Sequence, residues 1–294
     1  MQSGKISYQD NILHFARYGN GPALLLAFHD KGQDQSFIRS VAAKLSTRYT
    51  IISFDLPGHG QSQWKSPMDK TALVTIIERF KLEFAVEKLD VLACGSGGRF
   101  ALTLAEQRSE WIDTIWLYDP EGLYHMPWYG PHTRSVPGKG LYRFFAANPQ
   151  RAISILNALS SVKLVRKDNV AYMQTALTQP DETVATAQLW AYSKDIIPEP
   201  DKVRWQLKKH GVTVQLYISA VPQRRALTFA RKLDTVHIHT DGSLQQLLHA
   251  FTQEAKPAAD DLHVYFLHYC TVVRDTDVAV PLWLQPGKTD NSCI

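Results

Sequence analysis

Val91-Leu92-Ala93-Cys94-Gly95-Ser96-Gly97-Gly98-Arg99 runs from an apolar stretch, through glycines, into a polar segment. Leu89–Cys94 reads as a buried strand and Arg99–Gln107 as a helix. A chain that passes from strand to helix within so few residues must turn sharply. Glycine permits the left-handed backbone and the close approach such a turn demands.

Outward from this turn, the same alternation repeats. Upstream, Thr71–Val86 has the period of an amphipathic helix, and Thr50–Phe54 is a short, β-branched run before Asp55. Phe37, Ile38, Val41, Ala42 and Leu45 share one helical face. Ile12–Tyr18 and Ala23–Phe28 flank Gly19-Asn20-Gly21-Pro22, which predicts a hairpin-like pair. Downstream, Thr114–Tyr118 is a further strand. Strands alternating with helices imply right-handed crossovers and a mostly parallel sheet. Strands that are apolar on both faces imply helices on both sides of it.

From residue 121 to 205 the rhythm changes. Pro127, Trp128, Tyr129, Gly130, Pro131, Pro137 and Gly138 crowd one stretch, and helical patterns follow in Leu141–Ala147, Ala152–Leu159, Val170–Leu177 and Thr183–Tyr192. The alternation then resumes with a strand at Val212–Ile218, a helix at Arg224–Leu233, a strand at Thr235–His239 and a helix at Leu244–Gln253. The expected organisation is a core of residues 1–120 and 206–255, a helical insertion of 121–205, and a C-terminal extension of 256–294. Leu262–Val273 and Val278–Leu284 in the extension read as two strands, and Phe266, Leu267, Trp283 and Leu284 are expected to pack on the core.

Composition bounds the function. The 294 residues are 45% hydrophobic and 20% charged, which excludes a chain that is disordered throughout. No run approaches the roughly 18 apolar residues of a membrane span, and Met1–Asp10 lacks a signal-peptide core. A cytoplasmic location is expected. Cys94, Cys270 and Cys293 have no metal or disulfide spacing. The net charge of +4 is dispersed, with small clusters at Arg166-Lys167, Lys208-Lys209-His210 and Arg224-Arg225. None lies in a nucleic-acid motif, so no nucleic-acid partner is expected. No membrane partner and no cofactor are expected either.

Three ordered segments together resemble the α/β-hydrolase superfamily of the capped, single-domain type. Leu24–Phe28 followed by His29-Asp30-Lys31-Gly32-Gln33 is similar to the strand and His-Gly loop that build that family's oxyanion hole. Asp55-Leu56-Pro57-Gly58-His59-Gly60-Gln61-Ser62 resembles its D-x-x-G-x-G-x-S turn. Val91–Arg99 lies where its nucleophile elbow belongs. The resemblance covers about residues 5–255 and implies an α/β-hydrolase fold, a doubly covered, mostly parallel sheet with an inserted helical cap.

The resemblance also locates the catalytic positions, and their occupants are unsuited to the chemistry. Aligned on Gly97-Gly98, the nucleophile position is Gly95, which removes the hydroxyl and accepts the strained turn at no steric cost. The acid position is Pro222, and the base position is Ser243. A hydroxyl is not a nucleophile at neutral pH without a base, and a base needs an orienting partner. The loop departs as well: Asp30 stands where the Gly of His-Gly belongs, and a carboxylate there opposes a developing oxyanion.

The expectation is a catalytically inactive homologue that retains a pocket and binds a small molecule or a protein. His29, Asp30, Lys31, Ser96 and Trp128 are its expected pocket residues, with Tyr129 beside them. The Ser96 N–H at a helix start, with Lys31 nearby, suggests a weak anion site that Asp30 argues against. His59 and His29 are expected to brace their loops, and Asp119 is a displaced-acid candidate beside Glu121. The alternative is a working carboxylic-ester or C–C hydrolase with Ser96 or Cys94 as nucleophile and His239 as base. An imidazole within hydrogen-bond reach of either side chain would mark it.

Overall fold

The computed structural model describes residues 1–123, 149–163, 189, 192–219, 229–230, 233, 235–240 and 247. Eight strands form one sheet: β1 (Gln2–Tyr8), β2 (Asn11–Tyr18), β3 (Ala23–Phe28), β4 (Tyr49–Phe54), β5 (Leu89–Cys94), β6 (Ile112–Tyr118), β7 (Thr213–Ile218) and β8 (Val236–Thr240). Their spatial order is β1-β2-β4-β3-β5-β6-β7-β8. β1 and β2 are antiparallel to each other, β2 is antiparallel to β4, and every pairing from β4 to β8 is parallel.

The pairing corrects one expectation. β2 and β3 do not form a hairpin, because β4 lies between them. The turn after β2 crosses the start of β4: Asn20 N–H donates to Ser46 O at 3.2 Å and Ala23 N–H to Arg48 O at 3.1 Å. The hairpin is instead β1–β2, turning at Gln9 with φ 51°.

Alternation along the strands divides the core between the sheet's two faces. Leu24, Leu26, Phe28, Val91, Ala93, Ile115 and Leu117 face helices α2 (Lys70–Glu83) and α3 (Gly97–Arg108). Leu25, Ala27, Ile51, Leu92, Trp116 and Tyr217 pack with α1 (Arg39–Leu45) on the other. Asp69 caps α2, its carboxylate accepting the Ala72 N–H at 2.7 Å.

Between β6 and β7 the described residues include helices α4 (Pro149–Ser161) and α5 (Pro200–His210). α5 packs on α3 through buried Val203 and Leu207. The buried Glu106 of α3 ties three helices together. It accepts from Lys70 Nζ at 2.8 Å, Lys202 Nζ at 3.1 Å and the Glu199 N–H at 3.0 Å. The helical patterns at Leu141–Ala147 and Val170–Leu177, and the extension 256–294, lie outside the described residues. No helix among the described residues is long and apolar enough to cross a membrane.

Candidate functional site

β5 ends at Cys94 and α3 begins at Gly97, so Gly95 and Ser96 make the whole turn. Gly95 has φ +46°, a conformation that costs an L side chain roughly 1–2 kcal/mol. Its N–H donates to Tyr118 O at 2.9 Å, and its carbonyl accepts from Gly98 N at 3.0 Å and Glu121 N at 2.7 Å. Gly97 lets β3 approach: a Cβ there would lie 2.4 Å from Phe28 O.

The loop after β3 delivers the decisive side chain. Asp30 Oδ1 accepts hydrogen bonds from Lys31 N at 2.7 Å, Ser96 N at 2.8 Å and Ser96 Oγ at 3.0 Å. Its carboxyl group stands directly over Gly95. A Cβ built on Gly95 would lie 2.1 Å from Asp30 Cγ and Oδ1, and 2.3 Å from Oδ2. Asp30 thus fills the volume of the side chain that Gly95 lacks. The Ser96 N–H that suggested an anion site already has an anion, supplied by the chain itself.

Bracing residues fix this loop. His29 is fully buried, and burial pulls its pKa down to about 4, so the ring is neutral at pH 7. Its Nδ1–H donates to Asp30 O at 2.6 Å, and its Nε2 accepts the Leu56 N–H at 3.0 Å. Gln33 Oε1 accepts the Asp30 N–H at 3.1 Å. His59 packs edge-on against His29 at 5.1 Å between ring centroids, and its Nε2 accepts the Gly32 N–H at 3.3 Å. Burial lowers its pKa too. The Asp55–Ser62 turn closes around Asp55, which accepts from His14 Nδ1 at 2.9 Å, Gln35 N at 2.8 Å and Gln61 N at 2.8 Å. Both histidines therefore hold loops.

The remaining candidates are dispersed. Cys94 is buried, and burial, reinforced by the charges of Asp30 and Asp119, raises its thiol pKa well above the ordinary value. Asp119, at φ 41°, ends β6 and accepts the Ser219 N–H at 2.9 Å, linking the ends of β6 and β7. His239 stacks on Tyr217 at 4.1 Å, and its Nε2 lies 3.0 Å from Gln215 Oε1. In register, Cys94 faces Tyr118, Tyr118 faces Tyr217, and Tyr217 faces His239. Three inter-strand steps of about 4.8 Å put His239 roughly 14 Å from Cys94. The structure does not bring the fallback base to the fallback nucleophiles. Trp128, Tyr129, Pro222 and Ser243 lie outside the described residues. Among the described residues, no three His, Cys, Asp or Glu side chains group as metal ligands.

One residue was missed in the sequence. Arg99, buried in the first turn of α3, donates from Nε to Ile196 O at 3.0 Å and from Nη2 to Ser193 O at 2.6 Å. It fastens the segment that precedes α5 to the elbow helix. The signal was a lone arginine following Gly-Gly at a helix start, where a buried charge needs acceptors from elsewhere.

A family model described as the alpha/beta hydrolase fold matches residues 31–190, more than half of the chain. The chain belongs to that family. Over 112 residues this α/β-hydrolase-fold protein is 30% identical to the dihydrolipoyllysine-residue acetyltransferase component of the acetoin cleaving system of Cupriavidus necator. That match covers 38% of the chain and 30% of the relative. An uncharacterized protein of Mycobacterium bovis is 30% identical over 106 residues, covering 36% of the chain and 31% of that protein. The chain thus spans about a third of the length of the curated relatives it matches. Among solved structures, a thermophilic esterase from Thermogutta terrifontis is 17% identical with a TM-score of 0.57, covering 86% of this chain and 96% of that one. The enol-lactonase from Burkholderia xenovorans is 16% identical with a TM-score of 0.55, covering 85% and 97%. Identity this low carries the fold alone.

Within this α/β-hydrolase fold, the strand-to-helix turn holds a left-handed Gly95, and the backbone donors Ser96 N and Lys31 N converge. They converge on a carboxylate from the neighbouring loop.

Proposed function

We propose that this protein is an α/β-hydrolase homologue without ester hydrolase activity, which uses the surface over its elbow to bind a small molecule or a protein partner. One observation carries the reading: the Asp30 carboxylate takes the space of a Gly95 side chain while consuming the Ser96 and Lys31 N–H donors. Gly95 carries no nucleophile, the Ser96 hydroxyl is hydrogen-bonded to Asp30 with no histidine described beside it, and a tetrahedral oxyanion would meet a negative charge in place of free donors. His239, the base of the alternative reading, is committed to Gln215 and Tyr217. The half-buried Asp30, Asp119 and Glu121 leave polar groups at the C-terminal ends of β3 and β6, the sheet edge where open α/β folds bind ligands. The setting we assign is cytoplasmic, without nucleic acid, membrane or cofactor as partner.

The test is hydrolysis of short-chain p-nitrophenyl esters by the full chain, beside heat-denatured protein and the Ser96→Ala, Cys94→Ala and His239→Ala variants. The expected rate is background for all of them. Turnover above background that disappears in one variant would overturn the reading.

A further inference from the structure

The antiparallel edge of the sheet, separated from β5 by β4 and β3, carries a second constellation. Ser3 on β1, His14 on β2 and Asp55 just after β4 form a row across three adjacent strands. Ser3 pairs with Ala16 and Lys5 with His14, so Ser3 and His14 are diagonal neighbours on one face. Ser3 Oγ lies 2.6 Å from His14 Nε2, and His14 Nδ1 lies 2.9 Å from Asp55 Oδ2. A carboxylate oxygen accepts, so Nδ1 carries the proton of the neutral ring and Nε2 accepts the Ser3 hydroxyl. Both partners behind the serine are held in place. The His14 N–H donates to Ser62 Oγ at 2.8 Å, and its carbonyl accepts the Asp55 N–H at 2.9 Å. The Asp55 carboxylate also accepts the N–H groups of Gln35 and Gln61, each at 2.8 Å. His14 and Asp55 are buried, whereas Ser3 is exposed. A buried, oriented imidazole thus lies beneath a hydroxyl that molecules in solution can reach, which is the arrangement of nucleophile, base and orienting acid.

We propose that Ser3 is a self-acylation site, activated by His14 and positioned through Asp55, that takes one acyl group from an activated donor such as an aryl ester or a thioester. Gly95, Ser96, Cys94 and His239 have no part in it, so it stands independently of the reading of the elbow. In the step, a bond forms between Ser3 Oγ and the acyl carbon, and the bond from that carbon to the leaving group breaks. The Ser3 proton passes to His14 Nε2 and from there to the departing phenolate or thiolate, while Asp55 offsets the transient imidazolium charge. Expelling Ser3 Oγ again is harder, because an alkoxide is a poorer leaving group than a phenolate or thiolate. The acyl group therefore stays, and the reaction is stoichiometric.

The experiment is acetylation of the full chain by p-nitrophenyl acetate, with the modified positions mapped by peptide mass spectrometry before and after alkaline hydroxylamine. Hydroxylamine removes an acetyl ester from serine and leaves acetyl amides on the Met1 amine or Lys5. Ser7 is the internal control: it is exposed on the same strand and has no histidine hydrogen bond among the described residues. In the wild type, Ser3 should carry a hydroxylamine-sensitive acetyl group and Ser7 should not. In His14→Gln and Asp55→Asn, each checked for cooperative thermal unfolding, the ratio of Ser3 to Ser7 acetylation should fall by about 100-fold or more. Absence of an acetyl ester from Ser3, equal acetylation of Ser3 and Ser7, or an unchanged ratio in a folded variant would overturn the proposal. The comparison of Ser3 with Ser7 is made within the wild-type chain, so it decides the matter even if neither variant folds.

Discussion

The carboxyl group of Asp30 and the absent side chain of Gly95 compete for one volume, with Asp30 Cγ 2.1 Å from where a Gly95 Cβ would be. The two positions lie on different loops, yet a side chain at 95 and the Asp30 carboxyl group exclude one another. A nucleophile at 95 requires a small residue at 30. A carboxylate at 30, turned inward onto Ser96 N, requires glycine at 95. What look in the sequence like two independent positions are two sides of one contact.

The Gly95→Ser variant should therefore be strongly destabilised and remain inactive. The left-handed backbone contributes roughly 1–2 kcal/mol and overpacking against Asp30 roughly 1–3 kcal/mol. Adding Asp30→Gly should recover the overpacking part alone. Urea denaturation of the two single variants and the double variant closes a thermodynamic cycle. A coupling energy near zero would show that the two side chains do not compete.

Much of this arrangement was legible in the sequence, and its limits have physical causes. The Asp55–Ser62 turn and the Val91–Arg99 elbow are backbone-determined motifs, so residue identity alone marks them. β1 was not seen because Gln2, Ser3, Gly4 and Lys5 are mostly exposed and carry no apolar alternation. The sequence suggests a β2–β3 pair that the sheet does not contain, because adjacency in sequence does not decide adjacency in a sheet. α5 was missed because Val203 and Leu207 are its only buried residues, although Pro200 at its start and Gly211 after its end punctuate it as helix signals. The sequence marks Asp30 as hostile to an oxyanion, but its side-chain direction is a tertiary fact. It depends on where Ser96 N and Gly95 come to rest.

Cys94 should resist alkylation. A buried thiol with a raised pKa offers almost no thiolate, and thiolate is the reactive form. Brief iodoacetamide treatment of the native chain, followed by peptide mass spectrometry, should leave the Cys94 peptide unmodified until denaturant is added. Modification of that peptide in the folded protein would restore Cys94 as a nucleophile candidate.

Glu106 should be a sensitive acidic position, since it joins three helices. Burial alone pushes its carboxyl pKa up, but hydrogen bonds from Lys70, the Glu199 N–H and Lys202 outweigh that and hold it below the ordinary value. Glu106→Gln keeps the shape and removes the charge. It should cost about 1–3 kcal/mol, because the partly exposed lysines regain water while the Glu199 N–H keeps an acceptor. A depressed carboxylate pKa stabilises above the unfolded value and loses that contribution as pH falls. The wild type should therefore lose more stability than Glu106→Gln between about pH 5 and 3. Parallel urea midpoints for the two proteins across that range would contradict the ion-pair account.

His29 sets the response at milder acidity. Its pKa falls from 6.5 in the unfolded chain to about 4 in the fold, with burial as the largest cause. Between these values the unfolded ring binds a proton and the folded ring does not, so stability rises with pH across the window. The contribution is complete above about pH 6.5 and is lost as pH falls toward 4, by roughly 3 kcal/mol at the conversion of about 1.4 kcal/mol per pH unit. Protonation would force a donor against the Leu56 N–H, where Nε2 now accepts at 3.0 Å. His29→Gln carries no such proton. It should start less stable at pH 7, since an amide does not reproduce both ring contacts, and should fall less steeply toward pH 4.5. Urea midpoints for both proteins from pH 7 to 4.5 measure the difference in slope. Equal slopes would mean that acid destabilisation arises at the other lowered histidines, His59, His237 and His239, and not at the brace beneath Asp30.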